Sequence, residues 1–149
     1  MTGDAAMAER KLGESEELAE QVASQSVEPW TYWWSPQVSQ CQRGISLGYL
    51  AHIDRYRVQA IEALTEGYAG LGPGVARSEW AADYLVHRAA IHVRGGDVAE
   101  ACADARQVVP VARQTSSASL RGMLGQLHAQ MAVRWPGDAR VAELADALR

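Results

Sequence analysis

The chain lacks any excess of positive charge: 14 Lys and Arg stand against 18 Asp and Glu, a formal net charge of -4 with a sequence pI near 5.5. A nucleic-acid binder needs a basic stripe to neutralise phosphates, so direct DNA or RNA binding is disfavoured. Cysteine is scarce as well. Cys41 and Cys102 have none of the paired spacings of a disulfide framework or a zinc site, which points to a reducing cytoplasm. No apolar run approaches the roughly 20 residues that span a bilayer, and Met1 opens a polar, acidic stretch, so neither export nor membrane insertion is expected. Nothing alternates with period two over a useful length, and no Asn-Gly or Asp-Gly hairpin signal occurs, which excludes a β protein. No serine or cysteine carries a nucleophile motif, and neither glycine-rich stretch has phosphate-loop spacing.

What remains is helical. With 149 residues, 48% of them hydrophobic and 21% charged, the chain is about one domain with a real core. Residues 4–24 predict a polar helix with a thin stripe of Met7, Leu12, Leu18 and Val22 that leans on the rest. An aromatic run, Trp30-Thr31-Tyr32-Trp33-Trp34, then ends at Ser35-Pro36, a cap followed by proline at the first helical position. Helices are expected at 36–51, with Val38, Cys41, Ile45 and Tyr49 on one face, and at 55–71, with Val58, Ile61, Leu64, Tyr68 and Leu71. Gly72-Pro73-Gly74 stops the latter. A central helix at 79–94 carries Trp80, Tyr84, His87 and Ile91 on one stripe and Ala81, Leu85, Ala89 and His92 on another. Asp97 with Glu100 resembles a capping box opening the next helix, where Pro110 predicts a kink or early end. Two more helices place Leu120, Met123, Leu124, Leu127 and Met131, then Val141, Leu144 and Leu148, on apolar faces.

Small residues recur at Gly48 and Ala60, and 41 residues later at Ala89 and Ala101, with Gly96-Asp97 as the turn. The fold expected is all-α: antiparallel helix pairs stacked as a short right-handed array of about six or seven helices, in preference to a closed bundle. These packing positions resemble tetratricopeptide-like repeats, although His92 stands where the repeat usually has an aromatic. More specifically, Pro29 to Trp34, Gln42-Arg43-Gly44, Glu79-Trp80, Gly96-Asp97-Val98 with Ala101-Cys102, Leu127-His128, Arg134-Trp135-Pro136 and Leu144-Ala145-Asp146 resemble the C-terminal sensor region of actinobacterial Xre/Cro-type helix-turn-helix regulators. The resemblance spans about Glu28 to Arg149. It implies a helical-repeat sensor or scaffold that binds a peptide, protein or small effector. The upstream DNA-reading domain of those regulators has no counterpart before Trp30, so DNA binding is not implied; the chain reads as a standalone interaction protein or as a fragment of a larger regulator. The domain division expected is 1–28, a polar helix and connector, and 29–149, the repeat domain. An incomplete first repeat invites dimerisation, or the N-terminal helix folding back as a cover.

Candidate chemistry is sparse. The cluster of Trp30, Tyr32, Trp33 and Trp34 suits a ligand platform or dimer contact, against a plug that merely seals the first repeat. His87 and His92 are five apart and diverge on a helix, so no metal is expected, and no cofactor. Asp83 and His87, four apart, could pair as an oriented base, or simply as a surface contact. Glu14, Glu16, Glu17 and Glu20 form an acidic face, solvated or turned to a basic partner. Arg43, Arg55, Arg57, Arg88 and Arg94 are candidates to clamp a ligand carboxylate. Because the inner face of such an array comes from the first helix of each pair, the groove is expected at Trp30, Trp33, Trp34, Gln42, Tyr49, Asp83, Tyr84, His87 and Arg88. The leading function is a non-catalytic interaction or sensor module in a regulatory, cytoplasmic setting, with a protein or peptide partner, no membrane and a possible homodimer. The alternative is an enzyme or accessory protein of specialised metabolism with an aromatic-lined pocket. Trp80 is expected in the core.

Overall fold

The computed structural model describes residues 2–23 and 35–149. Among these residues every regular element is an α-helix: α1 (Thr2–Ala23), α2 (Pro36–Gly48), α3 (Asp54–Ala69), α4 (Pro73–Ala76), α5 (Glu79–Gly95), α6 (Val98–Gln114), α7 (Ala118–Arg134) and α8 (Ala139–Leu148). One more helix is present than the upper expectation, because Gly72-Pro73-Gly74 does not simply end α3. Proline at the first position carries a single further turn, α4.

Local chemistry sets these boundaries. The first helix of each pair opens on a serine whose hydroxyl accepts a backbone N–H three residues on: Ser35 from Val38 at 3.2 Å, Ser78 from Ala81 at 3.3 Å and Ser117 from Leu120 at 3.1 Å. The second helices of the later pairs open on aspartate, Asp97 accepting from Glu100 and Asp138 from Arg140. Each aspartate follows a left-handed glycine, Gly96 at φ 88° and Gly137 at φ 84°, a conformation that costs a residue without a Cβ little. Helix α2 stops at Gly48, short of Ala51, and Tyr49 becomes its cap. Helix α6 runs through Pro110 to Gln114, so no early end occurs. The missing proline N–H removes one internal bond, and burial of Val108, Val109 and Ala112 around it holds the turn.

Helices α2 and α3, α5 and α6, and α7 and α8 pack as consecutive pairs, with α2 against α5 and α5 against α7 joining one pair to the next. Helix α5 touches α2, α3, α4, α6 and α7 and is central, as its two apolar stripes require. The α2–α3 seam is built from backbone. A Cβ on Gly44 would lie 2.9 Å from Leu64 N and 3.0 Å from Ala60 O, and one on Gly67 would lie 2.9 Å from both Cys41 N and Gln37 O. Gly44 is therefore the small residue opposite Ala60, while Gly48 faces Ile91 of the next pair. The buried face of α3 is Tyr56, Ala60, Ala63, Leu64 and Gly67, so Val58, expected inside, is exposed; so short a separation admits small residues in its place. Beyond α5 the core is conventional, with Leu85, Val108, Leu120, Leu124, Met131 and Leu144 fully buried.

Arginines fasten the pairs together. Arg88 in α5 forks onto Asp104 in α6, Nε donating to Oδ2 at 2.9 Å and Nη2 to Oδ1 at 2.6 Å, while Nη1 reaches Thr65 of α3 at 3.0 Å. Arg94 donates to the Gly48 carbonyl at the end of α2 at 2.7 Å, and Arg134 to the Arg94 carbonyl at 3.4 Å. At the other end, α1 folds over α2, with Ala5 buried and Leu12 partly buried against the first pair and Glu16 ion-paired with Arg43. Met7 and Leu18, placed on its apolar stripe by the sequence, face solvent instead.

Candidate functional site

The serine caps bring the N-terminal turns of α2, α5 and α7 side by side, and between them lies a cleft of about 750 Å³. Helix α2 contributes Val38 and Gln42; α5 contributes Glu79, Trp80, Asp83 and Tyr84; α7 contributes Ser119 and Leu120. First helices thus form its wall. The cleft opens to solvent, and its aromatic side is ordered: the Trp80 and Tyr84 ring centroids are 6.0 Å apart at 87°, edge to face. Tyr84 is buried, and the Gln42 amide donates to its hydroxyl at 3.2 Å across the two helices. Burial raises the Tyr84 phenol above its ordinary pKa, with the Gln42 bond opposing.

Trp80, expected in the core, is 44% exposed. It occupies the second position of α5, where the helix face turns past its neighbours; Ala81 and Ala82 take the buried positions beside it. The charges near it are negative. Glu79 accepts the Ser117 hydroxyl through Oε1, tying α5 to the cap of α7, and Asp83 has the His87 Nε2 at 3.5 Å from its Oδ2. That distance, with each side chain about one-third exposed, is a contact and not the short hydrogen bond of an oriented base. Among the described residues no group of three or more His, Cys, Asp or Glu is placed to hold a metal ion.

Gln42, Asp83 and Tyr84 of the expected groove are brought together. The rest are not. His87 pairs with Asp83 but is not among the described residues lining the cleft. Tyr49 lies past the end of α2, far along the helix from the cleft, and is 73% exposed. Arg88 is 15% exposed and committed to Asp104, itself 2% exposed, because α5 turns that position toward α6. Trp30, Trp33 and Trp34 lie outside the described residues. The other arginines offered as clamps are engaged elsewhere: Arg43 with Glu16, Arg55 with Glu9 at 3.5 Å, Arg57 with Asp54 at 2.7 Å and Arg94 with the Gly48 carbonyl. Glu79, Trp80, Ser119, Leu120 and Val38 line the cleft although the sequence does not assign them to the groove. The register of Ser35, Ser78 and Ser117 is the signal that finds them, since it aligns the three opening turns.

Neither of the cysteines has a place in the cleft. Both are free and buried, and burial pushes the Cys41 thiol up to about 11 and raises Cys102 above its ordinary value. Among the described residues no helix is long and apolar enough to cross a membrane. Compared with protein-family models, curated proteins and solved structures, the chain finds no match.

Proposed function

We propose that the chain is a non-catalytic interaction module, a short tetratricopeptide-like array whose first helices present the cleft between α2, α5 and α7 to a partner, in a regulatory setting of the kind its resemblance to the Xre/Cro-type sensor regions implies. One observation carries this reading: Trp80 is left 44% exposed on an open cleft and is braced by the buried Tyr84. Tryptophan and tyrosine dominate binding hot spots because a rigid ring gives much contact area for little lost freedom. The recurring serine-capped first helices and the pair-to-pair packing of α2, α5 and α7 support the array.

The test is affinity capture with the full chain and with Trp80→Ala, followed by mass spectrometry of proteins and small molecules, with circular dichroism to show that the variant is folded. A partner retained by the wild type and lost from the folded variant is the expected result. Partners captured equally by both would remove the cleft from the interaction.

A further inference from the structure

We propose that the cleft takes a basic peptide segment, with a lysine or arginine side chain laid along Trp80 and its charge resting on Asp83. The inference rests on the reading of the cleft as a binding surface and names the chemistry of its occupant.

Three observations converge on a cation. Among the described residues that line the cleft, those with formal charge, Glu79 and Asp83, are both carboxylates. Arg121, the nearest cation in the sequence of α7, is turned back on the Ser117 and Ser116 carbonyls at 3.3 and 3.2 Å, and Asp83 meets the His87 Nε2 at 3.5 Å, too far for a short hydrogen bond. On the same opening turns of α5 stands the Trp80 indole, the best of the aromatic surfaces for a cation, its ring held edge to face at 87° to Tyr84.

An opposing field exists and is weaker. Three helix N-termini face the cleft, each worth about half a positive charge that decays within the first turn. Ser35, Ser78 and Ser117 each take up one N–H of those turns, while Glu79 and Asp83 carry full charges. The size of the cleft selects a peptide over a lone amine. At about 750 Å³ it holds more than one side chain, and the 44% exposed Trp80 lines it with apolar surface that a free ammonium group would leave uncovered. The Gln42 amide and the Ser119 hydroxyl stand where a peptide backbone needs partners.

Fluorescence anisotropy on the full chain tests this, using labelled peptides in which Leu alternates with Arg or Lys, the same peptides with Glu in place of each basic residue, and a neutral Leu–Gln peptide, with agmatine as the free-cation competitor. The basic peptides are expected to bind, to weaken as salt rises, and to lose about tenfold or more in affinity in Asp83→Asn and in Trp80→Leu. Asp83→Asn is close to isosteric and sits at the surface, so it reports on charge in a folded chain. Equal binding of acidic and basic peptides, undiminished binding in Asp83→Asn, or agmatine binding as tightly as the peptides would each overturn the proposal. If the neutral peptide binds as well as the basic ones and only Trp80→Leu disturbs it, the cationic occupant fails and the binding surface stands. If no peptide binds and capture shows no dependence on Trp80, both readings fail.

Discussion

Glycine does opposite things at the two ends of the molecule. In the α2–α3 seam, Gly44 and Gly67 lie against the backbone of the facing helix, and a methyl group at either would fall within 3.0 Å of main-chain atoms. In α7, Gly122 and Gly125 have nothing within 4 Å of where a Cβ would sit. The first pair is therefore closed by the absence of side chains, and the last by the interdigitation of Leu120, Leu124, Leu127, Met131 and Leu144. A seam of the first kind specifies distance and admits no enlargement. One of the second kind specifies volume and tolerates exchange among residues of similar size.

The largest test falls where the two regions join. Arg88→Ala leaves Asp104 buried with its fork of donors gone, and the expected loss is about 3–5 kcal/mol in denaturant unfolding; a loss below about 1 kcal/mol would mean that water or Thr65 replaces the guanidinium without strain. Next, Gly67→Ala is expected to cost about 1–3 kcal/mol, because backbone and not a flexible side chain must move. An unchanged midpoint would show that α2 and α3 slide apart freely. Gly122→Ala should stabilise by about 0.5–1 kcal/mol through the ordinary helix preference for alanine, and destabilisation there would reveal a neighbour for α7.

A further test uses the Cys41 thiol of the close seam. Cys41 has a folded pKa of about 11 against an ordinary value of 9.0, so its protonated form favours the fold. That contribution is whole below pH 9 and is lost as pH rises through 11, with the raised phenols of Tyr68 and Tyr84 acting in the same direction. Thermal midpoints are expected to fall across this window. Disulfide-exchange reagent at pH 8 should leave Cys41 unmodified until the chain unfolds; rapid labelling of the native chain would mean that the seam opens locally.

Periodicity made the helices legible because burial repeats every three or four residues in α5, α6 and α7, and serine and aspartate caps marked where they begin. It misled where packing is tightest. Val58 falls at the right spacing from Ile61 and Leu64, but a seam with backbone in contact selects Ala60, Ala63 and Gly67. Trp80 lies on the central helix, which predicts burial, but at its opening turn that face looks past the neighbouring helices. For the cleft, Gln42, Asp83 and Tyr84 followed from knowing that first helices line the inner face, but Arg88 and His87 share that helix and point elsewhere. Sequence spacing names the helix; the rotation of α5 against α6, fixed by Asp104 lying opposite, decides which side chains look outward.

The arginines that cap carbonyls give the stack a direction. Arg94 of the second pair completes the end of α2, and Arg134 of the third completes the end of α5, so each pair lends its terminus to the one before. Detaching the last pair would strip a donor from α5, and detaching α5 would strip one from α2. Disorder begun at the C-terminal end thus takes from the next unit inward both its packing and a donor to its terminal carbonyl, and hydrogen exchange should advance through α7, α5 and α2 in that order.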